Sequence, residues 1–438
     1  MIELDLREEP VHEPPAPRDW MRGSRWVAVV ITLCLLVTVA ASVPLSRRLS
    51  LTGAVPVPAG ADYTLTDRRL YTLSGGRDRV VSAFTLNGQR LWQAKSRFTG
   101  DVVFQEAGDM LLVTGVNRSG QPETLGVDAL TGTQRWTRPE QVVPLADGRT
   151  GLVTTPLFHG DVPPGATVVE DLNGNLINVA PTSTALRAVD LTDGRDLWSE
   201  TFGGSARRSM LPGTAEVVVA EPAGVQVLDA RTGAVRRSVA LDGGFAIDEL
   251  LVSERLIIVQ QGRRGGGHTY AFRPDTLEQA WRIQLPGNMA LGFGCEDVPC
   301  VTDMSTIRVL DPATGAVAYE IPAATLLRIG GHTLIDPQSS TVDLRVITAA
   351  DGASTPLTGW ELVLPNLGPA ADRSAAPALL TREDDGRAWL AALDASGTPK
   401  ELGSLAPQIL DCQSALTTIA CRTGPQEIRT WQLRGVRP

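Results

Sequence analysis

Histidine, lysine and the short motifs of common active sites are scarce in this sequence. Only four histidines occur among 438 residues, and lysine is limited to Lys95 and Lys400. The chain contains no G-x-S-x-G, H-E-x-x-H, S-x-x-K or C-x-x-C-H motif. It therefore lacks the spacings that position a serine nucleophile, a zinc ion or a haem. We predict no catalytic, cofactor-binding or metal-binding residue, and a protein that is not an enzyme.

An excess of positive charge is also absent. Forty lysines and arginines stand against 49 acidic residues, which gives a net charge of −9. Nucleic-acid-binding domains usually carry a basic face, so nucleic acid is not an expected partner. Three arginine pairs could converge on an acidic partner, but we expect them to be solvated or paired with nearby carboxylates: Arg207-Arg208, Arg236-Arg237 and Arg263-Arg264.

Helical periodicity is missing after residue 60. Short alternating segments separated by turn residues dominate there, and this pattern favours an all-β fold. The one long uncharged apolar run covers residues 26–45, WVAVVITLCLLVTVAASVPL. About 20 helical residues cross the hydrocarbon core of a bilayer, so we predict one transmembrane helix. The alternative is a cleaved signal peptide that ends near Ala41.

The apolar run divides the N-terminal region from the rest of the chain. Residues 1–25 are polar and contain several prolines, and we predict a short disordered tail. Three arginines lie just before the run, Arg18, Arg22 and Arg25, and two lie just after it, Arg47 and Arg48, which weakly favours a cytoplasmic N-terminus. Residues 46–60 are predicted to be a linker, and residues 61–438 to form a domain outside the cytoplasm.

Cysteine is limited to five residues, and four of them form two close pairs outside the apolar run. The pairs are Cys295 with Cys300 and Cys412 with Cys421, and each brackets a predicted turn. Neither spacing is the C-x2-C of common zinc sites, which leaves a metal site as the weaker alternative. We predict two disulfides, which would place this domain in an oxidising compartment.

A unit of strand, tight turn and strand recurs along the chain. Its turn glycine, or the equivalent residue, falls at positions 88, 132, 194, 233, 277 (a leucine), 315, 352 and 397. Most intervals are 37–45 residues, and one is 62. A repeat of this period indicates a solenoid or a propeller. Four copies are close to one another: Val127–Trp136, Ala188–Trp198, Val227–Arg237 and Val309–Tyr319.

Three positions of the unit have distinct physical roles. An aspartate ends the first strand, where its carboxylate can accept hydrogen bonds from the turn backbone. A glycine follows because the turn requires a positive φ. An aromatic residue ends the unit and is expected to pack against the neighbouring unit. The predicted turn and docking residues are Asp128, Gly132, Trp136, Asp190, Gly194, Trp198, Asp229, Gly233, Asp311 and Gly315.

These residues are similar to the pyrroloquinoline-quinone (PQQ) repeat, A-x-D-x-x-T-G-x-x-x-W, over nearly all of residues 61–438. The resemblance implies a single β-propeller of four-stranded blades. We expect eight blades, with seven and nine as alternatives, and closure of the ring by a strand from near residues 55–66. The family contains quinone-dependent dehydrogenases, which use adjacent cysteines beside the cofactor. No two cysteines are adjacent here, so the resemblance points to the membrane-anchored, non-enzymatic branch.

One repeat unit carries an insertion at residues 156–183 that is rich in glycine, proline and asparagine. Such loops often carry the function of a repeat protein. Asp171, Asn173 and Asn175 follow the start of a calcium-binding loop, but Leu176 stands where that loop needs glycine. We expect a solvated turn here and no bound metal.

Taken together, these features favour a membrane-anchored propeller that binds another envelope or membrane protein and holds no cofactor. One alternative is a ligand sensor that uses residues 156–183. A PQQ-dependent oxidoreductase is less favoured, because the sequence offers no residues for the quinone, the calcium ion or the base.

Overall fold

The structure is a computed structural model that describes residues 48–76, 79–158, 168–170, 176–178, 181–242, 244–262, 267–285, 289–291, 299–303, 306–322, 325–336, 344–347, 352–366 and 376–436. All regular elements in these ranges are β-strands, which confirms the all-β prediction. The predicted tail and transmembrane helix lie outside the described residues. Within the ranges above, no helix has the length and hydrophobicity that a bilayer crossing requires.

The strands form nine four-stranded antiparallel blades. The first strand of the chain, β1 (Leu49–Pro56), belongs to the ninth blade. Blades 1 to 3 comprise β2 (Asp62–Leu65), β3 (Arg69–Leu73), β4 (Val80–Thr85), β5 (Arg90–Lys95); β6 (Phe98–Ala107), β7 (Met110–Asn117), β8 (Pro122–Asp128), β9 (Gln134–Arg138); and β10 (Val143–Pro144), β11 (Thr150–Leu157), β14 (Ser183–Asp190), β15 (Asp196–Gly203), with a separate hairpin of β12 (Val168–Glu170) and β13 (Leu176–Asn178) between β11 and β14.

Blades 4 to 6 comprise β16 (Arg207–Met210), β17 (Glu216–Glu221), β18 (Gly224–Asp229), β19 (Val235–Ala240); β20 (Ile247–Val252), β21 (Ile257–Gln261), β22 (Gly267–Phe272), β23 (Gln279–Leu285); and β24 (Ala290–Leu291), β25 (Cys300–Thr302), β26 (Thr306–Leu310), β27 (Val317–Pro322). Blades 7 to 9 comprise β28 (Thr325–Ile329), β29 (His332–Asp336), β30 (Arg345–Ile347), β31 (Ser354–Pro356); β32 (Glu361–Val363), β33 (Leu379–Asp384), β34 (Arg387–Leu393), β35 (Pro399–Ser404); and β36 (Asp411–Ser414), β37 (Thr418–Gly424), β38 (Glu427–Leu433) with β1.

The preference for eight blades is therefore wrong, and the alternative of nine is correct. Each of the eight turn units forms a blade of its own, including the weak units around Gly352 and Gly397. The three C-terminal strands form the ninth blade because β1 pairs with β38 as its fourth strand, from Leu49 opposite Leu433 to Pro56 opposite Glu427.

The position of the closing strand also differs from the prediction. Residues 49–56 form β1, so this part of the predicted linker at residues 46–60 is in fact a strand. The glycine and prolines of GAVPVPAG resemble a linker in sequence. An outermost strand tolerates them because only one of its edges must pair. Leu49 and Val55 are nevertheless buried, and they secure the strand to the core.

The hydrophobic core lies in layers between neighbouring blades. In the layer between blades 4 and 5, Val218 and Val227 of blade 4 pack with Val259 and Phe272 of blade 5, and all four side chains are buried. Burying such a side chain contributes roughly 1.5–3 kcal/mol. Because each blade covers one face of the next, the repeats are stable only as a set.

Two faces of the ring follow from the antiparallel order of each blade. The connections between first and second strands, and between third and fourth strands, lie on one face, which we call the turn face. The connections between second and third strands, and between blades, lie on the other, which we call the loop face. The insertion between β11 and β14 therefore leaves from the loop face. The first strands of neighbouring blades contact one another, as β16 and β20 do, so they lie nearest the axis.

Candidate functional site

In each of the four predicted turns on the turn face, the aspartate accepts hydrogen bonds from the turn backbone. The Asp128 carboxylate accepts hydrogen bonds from the backbone N–H groups of Leu130 and Thr131, both at 3.0 Å. Asp229 accepts from Arg231 at 3.1 Å and Thr232 at 2.9 Å. The remaining two predicted aspartates do the same: Asp190 accepts from Thr192 at 2.8 Å, and Asp311 from Ala313 and Thr314 at 2.9 Å.

These contacts favour the charged form of the carboxylates. The hydrogen bond from the Thr131 backbone, with further bonds from Arg135 and Leu130, lowers the pKa of Asp128 to about 2. The hydrogen bond from Arg236, with those from Thr232, lowers the pKa of Asp229 to about 2. The pKa values of Asp190 and Asp311 are also lowered, mainly by hydrogen bonds from Thr192 and Thr314 respectively.

An aromatic residue from each of several blades lies on the turn glycine of the next blade. Gly132, Gly194, Gly233 and Gly315 all have φ near +72 to +76°, and a Cβ at any of them would lie only 2.6–2.8 Å from the indole ring. Each indole N–H also donates to a turn carbonyl of that next blade. The four donor–acceptor pairs are Trp92 with Ala129 (2.9 Å), Trp136 with Leu191 (2.7 Å), Trp198 with Ala230 (2.9 Å) and Trp281 with Pro312 (3.0 Å).

This aromatic docking is interrupted between blades 4 and 5. The docking residue follows the turn glycine by four positions, and blade 4 has Arg237 at that place. Blade 5 has Leu277 in place of the turn glycine, at a φ of 56°. The Leu277 side chain is buried, and it stands at the position where four other blades have a glycine in contact with an indole ring. The two departures from the repeat are therefore linked. A leucine at position 277 leaves no room for an aromatic ring from blade 4, and blade 4 has an arginine at the aromatic position.

A cavity of about 990 Å³ opens on the turn face at this interruption. Blades 4, 5 and 6 all contribute to it. Its walls are the loop 211–214, the loop 254–256, the turns at residues 273–275 and 312–313, and the strand residues Glu216, Arg237 and Ala280. In other blades, the carbonyl that accepts the indole hydrogen bond belongs to the residue three positions before the turn glycine. The equivalent residue in blade 5 is Pro274, and it lines the cavity.

The lining of the cavity combines apolar residues with balanced charge. Three arginines and three carboxylates line it: Arg237, Arg255, Arg273, Glu216, Glu254 and Asp275. The guanidinium of Arg237 donates to the carboxylate of Glu216, and its Nε is buried without a hydrogen-bond partner among the described residues. Leucines and prolines supply most of the remaining surface. This mixture suits an extended peptide, which presents apolar side chains, amides and charges of both signs.

The sequence motifs identify the turn residues but not this cavity. The sequence nevertheless contains a sign of the cavity, because Leu277 and Arg237 depart from the repeat at the interface where the cavity lies. Among the described residues, no group of three or more His, Cys, Asp or Glu side chains is arranged to hold a metal ion. The calcium-like residues 171–175 lie outside the described residues, as does most of the insertion.

The predicted disulfide between Cys412 and Cys421 is present. The two cysteines lie opposite each other on β36 and β37, with their Cα atoms 4.1 Å apart. Cys300 is also disulfide-bonded. Its predicted partner, Cys295, lies outside the described residues.

The two arginine pairs within the described residues do not converge on one surface. Arg236 and Arg237 lie on the fourth strand of blade 4. Arg236 pairs with Asp229 at 2.7 Å, and Arg237 pairs with Glu216. Arg208 lies on the first strand of the same blade, donates to the Thr154 hydroxyl, and has its pKa lowered by burial. Arg263 and Arg264 lie outside the described residues.

A family model described as "Outer membrane protein assembly factor BamB" matches residues 182–327. No curated protein sequence matches the chain. Among solved structures, a eukaryotic initiation factor aligns with a TM-score of 0.50 and 8% identity, over 85% of this chain and 95% of its own. At this identity the likeness shows the fold alone.

Two further structures are similar over most of the chain. BamB from Moraxella catarrhalis aligns over 88% of this chain and 99% of its own, with 12% identity and a TM-score of 0.39. The dihydro-heme d1 dehydrogenase NirN aligns over 81% of this chain and 78% of its own, with 15% identity and a TM-score of 0.43. The predicted resemblance to the PQQ-like β-propeller repeat is confirmed by the match of residues 182–327 to the BamB family model.

Proposed function

We propose that the protein is a membrane-anchored, extracytoplasmic scaffold that binds an exposed segment of another envelope or membrane protein. The cavity between blades 4, 5 and 6 is the binding site. The observation that carries this proposal is the loss of aromatic docking at Arg237 and Leu277, beside which a cavity of about 990 Å³ opens on the turn face. The family description names an assembly factor, and this agrees with a binding role.

The chemistry of the cavity favours a protein ligand over a small metabolite. Its walls come from three blades and its charges are balanced, so neither a single anion nor a single cation is preferred. The prolines at 212, 274 and 312 restrict the backbone of the walls, which lowers the entropy lost on binding. No arrangement of nucleophile, base and oxyanion donors accompanies the cavity in the described residues, so binding without chemistry is the proposed role.

The compartment is part of the same proposal. The Cys412–Cys421 disulfide is of a kind that persists in oxidising surroundings and is rare in the cytosol. Together with the predicted helix at residues 26–45, it supports a propeller held outside the cytoplasm by one span, with the N-terminal tail inside.

Cross-linking on intact cells tests both parts. A membrane-impermeant cross-linker should join the wild-type propeller to a defined partner. The variant Ala313→Trp should reduce the yield at least fivefold, because Ala313 lines the cavity and its side chain is exposed. The turn accepts a large side chain at this position, since Leu130 occupies the equivalent place in blade 2.

Leu130→Trp is the matched control, because it makes a comparable change in a turn that does not line the cavity. Equal cross-linking in both variants would contradict the assignment of the cavity as the binding site. Cross-linking that requires a membrane-permeant reagent would contradict the extracytoplasmic placement and leave the cavity assignment intact. The two parts of the proposal therefore fail separately.

A further inference from the structure

The outermost strand of blade 9, β1, has one free edge. Within the described ranges β1 pairs with β38 alone, and it stands at the end of its sheet. An edge strand presents unpaired N–H and C=O groups that another strand can use, and charged side chains are a common protection against such pairing. The sequence of β1, LSLTGAVP, contains no charged residue in its eight positions. The free edge of β1 therefore lacks this protection.

The outermost strands of the other blades differ from β1 in charge. Seven of these eight strands carry at least one charged residue: β5, β9, β15, β19, β23, β27 and β35. The remaining one, β31, has only three residues, and a very short edge strand offers little to pair with. Among the described blades, a long outer strand without charge is thus found in blade 9 alone.

The side chain of Leu51 adds an apolar contact to this edge. It is 59% exposed, and Ala54 further along the strand is also exposed. Between them the turn of blade 1 contacts β1 at Gly53, where a Cβ would lie 2.4 Å from the Asn87 carbonyl carbon. Because this contact and the pairing with β38 fix the backbone of β1, the edge is ordered before a partner arrives and less entropy is lost on pairing.

The charges around β1 allow a second copy of the chain to approach this edge. Each copy carries a net charge of −9, so two copies repel each other in general. On the neighbouring strand β38 the charged side chains are Glu427 and Arg429, and they pair with each other at 2.6 Å. The two outer strands of blade 9 are therefore neutral as a unit and add nothing to this repulsion.

We propose that β1 pairs antiparallel with β1 of a second copy of the chain, about a two-fold axis at Leu51. A two-fold axis brings the same surface of both copies together, and antiparallel pairing of one strand with itself satisfies this condition. Leu51 then lies opposite itself and Arg48 lies opposite Ala54 of the second copy, so no like charges face each other. The two blades form one eight-stranded sheet, and its pairing is independent of the binding role proposed for the cavity.

Sedimentation equilibrium of the full-length protein in a nonionic detergent tests the proposal. The wild type should show a concentration-dependent equilibrium between monomer and dimer. Leu51→Lys places two like charges opposite each other at the axis, and it should weaken dimerisation about tenfold or more. Leu130→Lys is the matched control, because Leu130 is 55% exposed on a turn of blade 2. It should change the dimer affinity less than about twofold.

Cysteine cross-linking in isolated membranes tests the register of the two strands. Cys34 is first replaced by alanine, because a thiol in the apolar run would cross-link independently. Leu51→Cys should then form a disulfide-linked dimer on mild oxidation, since directly opposed residues have Cβ atoms about 4.5–5.5 Å apart. Ala54→Cys should not, because its two copies would be about 20 Å apart along the strands. Ser199→Cys controls for random collision, because Ser199 is exposed on the outer strand β15 of blade 3.

Three results would overturn the proposal. One is a wild-type protein that stays monomeric at every concentration measured, and another is equal weakening of the dimer by Leu51→Lys and Leu130→Lys. The third is a disulfide yield from Ala54→Cys or Ser199→Cys that equals the yield from Leu51→Cys. None of these results bears on cross-linking to another protein at the cavity, so this proposal and the proposed function fail separately.

Discussion

At the scale of single residues, the turn aspartates stabilise the fold only while they are ionised. Asp128 and Asp229 each accept two backbone hydrogen bonds and pair with an arginine, Arg135 or Arg236. Their pKa values of about 2 lie below the usual 3.8. A group with a depressed folded-state pKa contributes stability above its unfolded value and loses it as the pH falls towards the folded value. The relevant window is therefore pH 4 to 2.

The first prediction is that Asp128→Asn and Asp229→Asn lower the thermal midpoint at pH 7 and do so much less at pH 2. At neutral pH each variant should lose roughly 1–3 °C, because an amide accepts the turn hydrogen bonds but cannot pair with the arginine. At pH 2, close to the folded-state pKa, about half of each wild-type carboxylate is protonated and most of the charge-dependent stability is lost, so the difference should be much smaller. Scanning calorimetry across this range measures it. Asp101→Asn, at an exposed position, should show no such pattern, and a constant difference at every pH would contradict the explanation.

Residue roles of this kind are largely readable from the sequence, because they follow from local chemistry. The aspartate, glycine and tryptophan of the unit predict their own turn and their own contact, as Asp190, Gly194 and Trp136 show. What the sequence does not reveal is the consequence of a departure. Leu277 is visible as an exception to the glycine pattern, but only the structure shows that its side chain is buried against blade 4 and that a cavity lies at this interface.

At the scale of elements, each blade is joined to the next by two kinds of contact. The hydrophobic layer is common to all the interfaces for which clusters are described, whereas the docked aromatic ring is not. Blade 6 uses Tyr319 on Gly352, where a Cβ would lie 2.5 Å from the ring. Blade 4 uses the Arg237–Glu216 pair. An ion pair at the surface stabilises less than a buried ring, so this interface lacks a stabilising contact that the docked interfaces have.

The second prediction is that the docking can be restored by a paired substitution. Arg237→Trp alone should destabilise the protein, because the ring meets the Cβ of Leu277. Leu277→Gly alone should also destabilise it, because a buried side chain is removed. The double variant should recover most of the loss, with a coupling of about 1–3 kcal/mol in a double-mutant cycle. It should also reduce cross-linking to the partner, because the indole fills part of the cavity.

Arg236→Trp combined with Leu277→Gly is the control for this cycle. Arg236 is the adjacent residue on β19 and pairs with Asp229 of its own blade, so its side chain points away from blade 5. The free-energy changes of Arg236→Trp and Leu277→Gly should therefore add in the double variant. Coupling of equal size in both cycles would show that the recovery has a cause other than docking. Urea titration, with the slope compared among variants, gives the free energies.

At the scale of the whole molecule, the ring closes where blade 9 meets blade 1. Among the described residues no aromatic ring lies on the turn glycine of blade 1, and the backbone of β1 lies directly on this turn instead. A Cβ at Gly53 would lie 2.4 Å from the Asn87 carbonyl carbon. Side-chain hydrogen bonds cross the same seam, from Tyr63 to the carbonyls of Asp411 (3.0 Å) and Ala420 (3.1 Å).

This closure explains why the blade count could not be derived from the repeat alone. The pattern of Asp, Gly and an aromatic residue marks the turn between third and fourth strands, and blade 9 obtains its fourth strand from the other end of the chain. In place of that turn, Arg434 N–H donates to the carbonyl of Arg48 at 2.7 Å. The pairing joins residues almost 400 positions apart, as with Leu49 and Leu433. Only a long-range contact can specify it.

The last prediction concerns this seam. Gly53→Val should separate β1 from the first turn, because two backbone segments cannot both yield to a branched side chain. We expect a fall of several degrees in the thermal midpoint and faster hydrogen exchange of the β38 amides that pair with β1, with little change at β18 in blade 4. Leu51→Val, at a side chain that is 59% exposed in the same strand, should have little effect on either measurement. Uniform acceleration across all blades would mean that the ring unfolds as one unit, and the seam would then not be its weakest interface.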